Sequence, residues 1–349
     1  MRELVFVRPG SLEWRETLAP RLETSHDAVV RPVAVSLCDL DVRLLRGPTP
    51  FAGPFSLGHE FVGQVVELGE DVAGFQVGDL AVVAFQIGCG ECGRCRRGLT
   101  ASCQAVPAGS MYGLQPLGGD WGGALADLVR VPFAERMMLG IPAGTTPAAA
   151  VSASDNVADA WRAVVPHLAE SPGADVLVVG SPSSVPLYTV MMARICGAGR
   201  IDYLDINHAA LTLAESFGAH AIEGPPPRRA GAYPITVDAS RDPAGLACAL
   251  RSVTPEGVCT SVSIYFEAPQ VPLLEMYTRG VRFLTGRVNS RATLPPVLEL
   301  IRSGRLQPEA VTSEVVSWDD AALPLASPSM KPVIVREPLG PARTPVGLT

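Results

Sequence analysis

Four cysteines lie close together in this 349-residue chain, at a spacing that suits a metal ion. The segment "CGECGRCRRGLTASC" has the pattern C-x2-C-x2-C-x7-C, which comprises Cys89, Cys92, Cys95 and Cys103. Four thiolates at this spacing can surround one tetrahedral Zn²⁺, and a closed four-cysteine site leaves no position open for a substrate. The pattern therefore predicts a structural zinc ion, with an iron–sulfur cluster as the chemical rival. Free or disulfide-bonded thiols are the alternative without a metal.

A second set of potential metal ligands is spread along the chain. Cys38 lies in "VSLCDLD", His59 in "LGHEF" and Asp155 in "SASDNV". One cysteine, one histidine and one carboxylate can hold zinc and leave its fourth position for water or substrate. Such a metal would polarise a carbonyl, or acidify a bound alcohol so that it can release hydride. Taken singly, each residue also suits an ordinary role: a buried apolar cysteine, a structural histidine or a helix cap.

Residues 175–199, "DVLVVGSPSSVPLYTVMMARICGAG", form a predicted buried strand, a turn and an apolar helix. A dinucleotide-binding turn carries G-x-G-x-x-G, in which the second glycine admits the pyrophosphate and the third lets the helix pack on the strand. Only Gly180 matches, because Pro182 and Val185 occupy the other glycine positions. Two serines can still cap the helix and offer hydroxyls to a phosphate. The candidate cofactor-binding residues of this turn are Gly180, Ser181, Pro182, Ser183, Ser184 and Val185.

Asp205 ends the next predicted strand, about 25 residues after Gly180. A carboxylate at this point of a dinucleotide-binding unit accepts the hydroxyls of the adenosine ribose. Ile206 and Asn207 follow it and provide no arginine for a 2′-phosphate. If a dinucleotide binds, the sequence therefore predicts NAD(H) in preference to NADP(H). The alternative is that Asp205 is an ordinary strand-end residue that begins a loop.

The elements that must position these residues fall into two parts. Residues 1 to about 150 are rich in Val, Gly and Pro and contain short alternating strands, as in a compact β-rich domain. Further on, predicted helices separate five short apolar strands, which are 175–179, 201–205, 234–238, 259–265 and 281–286. This alternation predicts βαβ units with a parallel sheet and hence an α/β fold class. "TLPPVLELIRSGRL" is then expected to form an amphipathic helix with its prolines in the first turn.

Composition excludes several classes of protein. Hydrophobic residues make up 47% of the chain and charged residues 18%, so a large buried core is feasible and disorder is not expected. A net charge of −7 gives no reason to expect a nucleic acid or an anionic membrane as partner. No run has the length of a transmembrane helix, and "MRELVFVRPG" lacks the features of a signal peptide. We therefore expect a cytoplasmic protein in which the cysteines bind metal.

The chain resembles the zinc-dependent medium-chain dehydrogenases/reductases, the superfamily of alcohol and threonine dehydrogenases. The resemblance rests on "LGHEFVGQVVELGEDVAGFQVGD" (57–79), the four-cysteine lobe, "GGDWGGALADLVRVP" (118–132) and the βαβ half. It implies a GroES-like β-rich catalytic domain formed by 1–152 and 290–349, with the zinc lobe at about 86–106. A Rossmann-type domain with a doubly wound parallel sheet would span 153–289, and the active site would lie in the cleft between the domains.

The resemblance also implies roles for individual residues. Cys38, His59 and Asp155 become ligands of a catalytic zinc, and the four cysteines of the lobe hold a structural zinc, giving two zinc ions per chain. Three further residues match positions near the metal or the cofactor: Glu60 as a carboxylate that can approach the ion, Asp41 as the partner that orients His59, and Lys331 as a basic residue near the cofactor phosphates.

Three positions depart from the family pattern. The family carries Ser or Thr two residues after the first cysteine ligand, where the hydroxyl relays the alcohol proton, but this chain has Leu40. Proton transfer would then need another group, for which Asp39 and a zinc-bound water are the candidates. The glycine turn is the second departure. The third is "TPEGV", in which Glu256 replaces one of a customary glycine pair.

These observations predict a zinc- and NAD-dependent oxidoreductase that interconverts a secondary alcohol or polyol and its carbonyl. The alternatives are a non-redox zinc enzyme, such as a lyase, isomerase or hydrolase, and a redox-inactive binding or scaffold protein, because Leu40 and the altered glycine turn depart from the family. The family implies a homodimer or homotetramer. Four aromatic residues could shape the substrate pocket or belong to the core or an interface, and they are Phe51, Tyr112, Trp121 and Tyr265.

Overall fold

A computed structural model describes residues 1–47, 49–326 and 330–340. The chain divides into two compact units, the first formed by residues 1–158 and 289–349 and the second by residues 159–288. Within the described residues, every helix is too short or too polar to cross a lipid bilayer.

The elements are numbered in chain order. Those that precede the second unit, or begin just before it, are β1 (Arg2–Arg8), β2 (Ser11–Glu16), β3 (Ala28–Ser36), α1 (Asp39–Arg46), β4 (Phe55–Ser56), β5 (Glu60–Leu68), β6 (Leu80–Val83), β7 (Val129–Val131), α2 (Ala134–Met137), β8 (Met138–Gly140), α3 (Pro147–Ala150) and α4 (Asn156–Glu170). The remaining elements are β9 (Val176–Val179), α5 (Ser184–Ile195), β10 (Ile201–Asp205), α6 (His208–Ser216), β11 (His220–Glu223), β12 (Tyr233–Asp238), α7 (Pro243–Ser252), β13 (Val253–Ser261), α8 (Leu273–Arg279), β14 (Arg282–Leu284), α9 (Ser290–Arg302), β15 (Glu314–Ser317), α10 (Leu323–Ala326) and β16 (Pro332–Val335).

The first unit is built on a seven-stranded sheet whose central strand is β3. The strand order is β15-β16-β3-β5-β6-β8, and β7 also pairs with β3. Strand β3 runs antiparallel to β5, with Ser36 opposite Glu60, and antiparallel to β16, with Ser36 opposite Val333. The end of β3 therefore lies beside the beginnings of β5 and β16. This register brings three segments that are distant in sequence to one end of the sheet.

The second unit has a six-stranded, entirely parallel sheet. Its strand order is β11-β10-β9-β12-β13-β14, which is the 3-2-1-4-5-6 order of the Rossmann fold. The central strand β9 has the sequence VLVV, and all four of its side chains are buried. Parallel strands covered on both faces have such continuous apolar sequences. The predicted α/β fold class, with a β-rich part and a Rossmann-type parallel sheet, is therefore confirmed.

Two local predictions are corrected by the structure. Helix α9 begins at Ser290, so Pro295 and Pro296 lie in its second turn rather than its first. Each proline removes one helical N–H, and the buried apolar face of the helix outweighs this loss. Strand β13 ends at Ser261 instead of continuing to residue 265, and it begins at Val253. Within this strand, Glu256 has a φ of +61°, which lies in the left-handed region that favours glycine. The backbone at this position therefore adopts the conformation for which the family's glycine is suited.

Candidate metal centre and nucleotide turn

Cys38 is held at the N-terminus of α1, two residues after β3 ends. Its side chain caps the helix, because its Sγ accepts a hydrogen bond from the backbone N–H of Leu40 at 3.3 Å. Asp41 completes the capping box, since its Oδ2 accepts from the backbone N–H of Cys38 at 3.0 Å. The fixed N-terminal turn therefore defines where the Cys38 sulfur points.

His59 precedes β5 and follows Gly58, whose φ of +88° places it in the left-handed region. A side chain at Gly58 would also crowd the backbone of Leu125, so this turn needs glycine for both reasons. The imidazole is 2% exposed and packs near Phe85, with ring centroids 5.4 Å apart. The turn and this packing fix the ring at the same end of the sheet as Cys38.

Asp155 lies directly before α4 and completes the cluster. Its Oδ2 is 3.2 Å from His59 Nε2 and accepts a hydrogen bond from Asn156 Nδ2 at 3.0 Å. Potential ligand atoms of Cys38, His59 and Asp155 all lie within 4.8 Å of one another. Sulfur, imidazole nitrogen and carboxylate oxygen at such separations suit tetrahedral zinc, so the residues fit the metal that the sequence predicts.

Electrostatics at this centre also favour a cation. Burial raises the pKa of the Cys38 thiol well above its ordinary value, and the neighbouring carboxylates of Asp155 and Asp41 raise it further. Burial disfavours the imidazolium of His59, yet Asp41, Asp155 and Glu60 together raise its pKa to about 9. A cluster of buried carboxylates that stabilises a positive imidazole would equally stabilise a metal ion, which in turn would deprotonate the thiol.

Asp41 lies near His59, the residue that the family resemblance implies it orients. Its Oδ1 is 3.6 Å from His59 Nδ1, which is too long for a hydrogen bond. That oxygen is buried, and no other group among the described residues forms a hydrogen bond with it. The role of Asp41 in orienting the imidazole stays a prediction.

Glu60 takes part in a buried ionic network. Its Oε2 accepts from Lys331 Nζ, and its Oε1 accepts from the backbone N–H of Asn156 at 3.0 Å. Glu60 and Lys331 are both completely buried. Burial raises the pKa of Glu60, although the charge of Lys331 opposes the change. Glu60 is thereby anchored one residue from His59.

Lys331 is the only lysine in the chain. Besides Glu60, its ammonium donates to the side-chain oxygen of Asn156 and to the carbonyl of Leu37 at 3.3 Å. An ammonium has three protons, and these acceptors account for all of them. The structure thus gives Lys331 a partner that the sequence analysis did not assign to it, and a contact with cofactor phosphates stays a prediction.

The four-cysteine lobe is the second ligand cluster. The sulfur atoms of Cys89, Cys92, Cys95 and Cys103 lie within 4.8 Å of one another. No disulfide bond joins these four cysteines in this structure. Backbone N–H groups point at the sulfurs, including those of Cys92 to Cys89 Sγ at 3.3 Å and Gln104 to Cys92 Sγ at 3.4 Å. Such N–H···S hydrogen bonds stabilise thiolates, and those to Cys92 lower its pKa to about 6.

In the second unit, the predicted nucleotide turn joins β9 to α5. Ser183 is the N-cap residue of α5, but its side chain makes no capping hydrogen bond. Ser181 Oγ instead donates to the carbonyl of Ala239 at 2.8 Å and lies 3.2 Å from Ser183 Oγ. Pro182 is exposed, while the other residues of the turn from Ser181 to Val185 are buried. The hydroxyls of Ser181 and Ser183 therefore lie in contact with groups of the protein itself.

Gly180 and Asp205 come together around a residue that the sequence analysis missed. Tyr203 lies on β10, is completely buried and donates its hydroxyl to Asp205 Oδ2 at 2.7 Å. A Cβ built on Gly180 would lie 2.5 Å from the Tyr203 Oη. Tyr203 and Asp205 are two residues apart on one strand and so share a face, which was the available sequence signal.

Asn156 was also missed. It touches Asp155 through its Nδ2 and Glu60 through its backbone N–H, and its Oδ1 accepts from Lys331. Its only sequence signal is its position next to Asp155. Asn156 thus connects the metal-ligand cluster to the buried ion pair.

Two of the four aromatic residues considered for the substrate pocket form hydrogen bonds within their own unit. Tyr112 is completely buried, packs edge-on against Phe61 and donates to the carbonyl of Arg130 at 3.0 Å, so it belongs to the core. Tyr265 donates to Asp238 Oδ2 at 3.0 Å within the second unit. Phe51, Trp121 and Tyr265 are half-buried, and their place in a pocket stays a prediction.

Several known proteins are similar to this chain in sequence and in fold. Residues 24–143 match the alcohol dehydrogenase GroES-like domain. A probable zinc-binding alcohol dehydrogenase of Mycobacterium tuberculosis is 32% identical over 330 residues, covering 92% of this chain and 84% of that protein. Zinc-type alcohol dehydrogenase B of Aspergillus flavus is 27% identical over 325 residues, covering 87% of this chain and 73% of the relative.

Among solved structures, an alcohol dehydrogenase of Thermus sp. ATN1 superimposes with a TM-score of 0.85. It is 31% identical, and the match covers 96% of this chain and 99% of that chain. The relatives and the cysteine cluster together support zinc and a nicotinamide cofactor. The chain therefore belongs to the zinc-dependent medium-chain dehydrogenase/reductase family and is an alcohol oxidoreductase.

Proposed function

We propose that this enzyme interconverts a secondary alcohol or polyol and the matching carbonyl, with catalytic zinc and NAD(H). The convergence of Cys38, His59 and Asp155 carries the proposal, because it provides three ligands and leaves the fourth position for the substrate oxygen. When bound, zinc supplies Lewis acidity at the substrate oxygen and the nicotinamide exchanges hydride with the substrate carbon.

The residues around the ligands would keep the centre in shape. Asp41 fixes the turn that carries Cys38, and Asn156 holds Asp155 through a hydrogen bond. Lys331 neutralises Glu60, so that carboxylate can lie beside the ligands without adding a further unpaired charge. Each of these groups acts on a ligand or its immediate neighbour.

The alcohol proton needs an acceptor other than residue 40. Leu40 donates its backbone N–H to the Cys38 sulfur, and its side chain has no hydrogen-bonding group. Asp39, the adjacent carboxylate, is the candidate acceptor within the chain. The preference for NAD(H) rests on Asp205, whose negative charge would repel a 2′-phosphate.

The test combines zinc analysis, NADH titration and oxidation of a panel of secondary alcohols and polyols. The wild type should contain two zinc ions per chain, and His59→Ala should keep only the ion of the lobe. The same variant should lose activity by about a hundredfold or more, because the Lewis acid is gone. Glu67→Gln is the matched control, since Glu67 lies exposed near the other end of β5. Wild-type protein with one zinc ion, or with no NADH binding at millimolar concentration, would contradict the proposal.

A non-redox zinc enzyme is the second candidate. Leu40 at the proton-relay position and the hydrogen bond between Tyr203 and Asp205 favour it. This function requires turnover without added nicotinamide. Two zinc ions per chain together with the absence of NADH binding would support it over the first candidate.

A further inference from the structure

Both carboxylate oxygens of Asp205 accept hydrogen bonds from groups of the same chain. Its Oδ1 accepts from the backbone N–H groups of Ile206 at 2.7 Å and Asn207 at 2.9 Å. Its Oδ2 accepts from the Tyr203 hydroxyl at 2.7 Å. Asp205 is only 3% exposed. A group expected to take two ribose hydroxyls therefore already has a hydroxyl donor on one oxygen and two amides on the other.

The position of Tyr203 follows from the sheet. Strands β9 and β10 are parallel neighbours, with Tyr203 opposite Val178 and Leu204 opposite Val179. The N–H of Gly180 continues this pairing by donating to the carbonyl of Leu204 at 2.8 Å. The phenol ring consequently lies against the Cα of Gly180, where an added Cβ would lie 2.6 Å from the Tyr203 Cζ.

The first glycine and the strand-end carboxylate are the two points that bound the adenosine side of a Rossmann nucleotide site. In this chain one tyrosine contacts both. We propose that Tyr203 determines the affinity and ribose specificity of this site, because its hydroxyl holds the Asp205 oxygen that a ribose hydroxyl would otherwise take. The inference rests on the proposed use of NAD(H).

Two consequences follow for binding. A dinucleotide must either share Oδ2 with the tyrosine hydroxyl or displace it, so NADH binds more weakly than the aspartate alone would allow. The usual advantage of a ribose over a deoxyribose is reduced for the same reason, because the hydrogen bond to Asp205 is already made within the protein. A substitution that removes the tyrosine hydroxyl but keeps the ring should restore both the affinity for NADH and the advantage of a ribose over a deoxyribose.

Titration of NADH and NADPH, followed by nicotinamide fluorescence, tests the proposal on the full-length enzyme. Tyr203→Phe should lower the Kd for NADH about tenfold or more, the size of one hydrogen bond to a charged group. NADPH should gain little, since the freed carboxylate repels its 2′-phosphate. Adding Asp205→Asn to Tyr203→Phe should abolish this gain in NADH affinity. Asp205→Asn alone should change the Kd for NADH by less than Tyr203→Phe does.

Tyr233→Phe is the matched control. Tyr233 also donates its hydroxyl to a buried aspartate of β10, Asp202 Oδ2 at 2.6 Å, but Asp202 lies near the opposite end of that strand from Asp205. This control should leave the NADH Kd unchanged. A wild type and Tyr203→Phe that bind NADH equally well would overturn the role of Tyr203 and leave the proposed function standing. If neither protein binds NADH at millimolar concentration, both proposals fail.

Discussion

The polar groups of the candidate metal centre in the first unit and those of the predicted nucleotide turn in the second differ in what they contact. In the metal centre, side chains from three segments converge, and ligand atoms of Cys38, His59 and Asp155 lie within 4.8 Å of one another. In the turn, Gly180 and Asp205 keep their places, but a tyrosine lies against the first and bonds to the second. The serine hydroxyl of Ser181 likewise bonds to a backbone carbonyl.

The difference shows what a motif can and cannot specify. A metal site needs a few donor atoms of the right type, so matching the ligand residues largely defines it. A dinucleotide site needs open space and free N–H groups next to the backbone, and a residue outside the motif can fill that space. In this chain Tyr203 packs against Gly180 and donates to Asp205, although both motif residues are retained.

The largest effect is expected at the buried ion pair beside the metal centre. Lys331→Met leaves the completely buried carboxylate of Glu60 without its counter-charge. We expect a loss of about 3–5 kcal/mol in the free energy of unfolding, measured with chemical denaturant. Because Lys331 is the only lysine, reductive methylation of the native protein should modify no lysine side chain, which tests its burial directly.

Two variants serve as controls for this prediction. Glu60→Gln combined with Lys331→Met removes both charges and should recover part of the loss. Arg302→Met breaks a solvent-exposed pair with Glu299 and should change the stability far less than Lys331→Met does. Equal losses of unfolding free energy in Lys331→Met and Arg302→Met would show that the buried pair stabilises the protein no more than an exposed pair does.

The second prediction concerns the turn itself. Gly180→Ala should cost about 1–3 kcal/mol of stability, because the new Cβ would overlap the Tyr203 ring. Tyr203→Val makes room for that methyl group, so the alanine should cost much less in this background. Unfolding curves of the two single variants and the double variant measure the coupling. The same cost in both backgrounds would mean that the tyrosine is not what requires glycine there.

The third prediction returns to the metal centre. Leu40→Ser places a hydroxyl two residues after Cys38 and should raise the rate of alcohol oxidation at neutral pH about tenfold, by providing a proton relay. Leu40→Ala removes the same bulk without adding a hydroxyl and is the control. Zinc content should be equal in all three proteins. A rate increase in Leu40→Ala of the same size would attribute the effect to space rather than to proton transfer.

The smallest effect is a difference in acid response between the two units. Burial alone would raise the pKa of Asp27 in the first unit, but hydrogen bonds from Thr24 and Arg130 hold it below its ordinary value. Burial raises the pKa of Asp238 in the second unit despite its hydrogen bonds from Ser240 and Ser261. As the pH falls, stabilisation by Asp27 is lost when its carboxylate is protonated, whereas protonation of Asp238 removes a buried charge and adds stability.

Each contribution should be about 1 kcal/mol or less. The gain from Asp238 falls between its raised pKa and about pH 4, whereas the loss from Asp27 falls below about pH 4, because its pKa is lowered in the folded protein. Asp27→Asn should flatten the acid-induced loss of stability, and Asp238→Asn should steepen it. Amide hydrogen exchange, resolved by unit, measures the two responses separately. The comparison fails if both variants change the acid response in the same direction.

Much of the architecture could be predicted from local sequence. Strand β10 was predicted with the bounds that the structure has, because "IDYLD" is a short apolar run between turn residues. The cysteine spacing likewise predicted the lobe cluster. The start of α9 was missed because the prolines suggested a first turn, although helical residues precede them. The partner of Lys331 was missed because Glu60 is 271 residues away, and no local pattern reports such a contact.

The sequence by itself determined the fold class, the family and the identity of the potential ligands, because these depend on residue type and short-range spacing. Tertiary structure decided what each polar group contacts. The antiparallel register of β3 with β5 and β16 brought Cys38, His59 and Lys331 to one end of a sheet. The parallel register of β9 with β10 set Tyr203 against Gly180. Strand pairing joins residues that are far apart in the chain, and only the folded molecule shows which of them share a space.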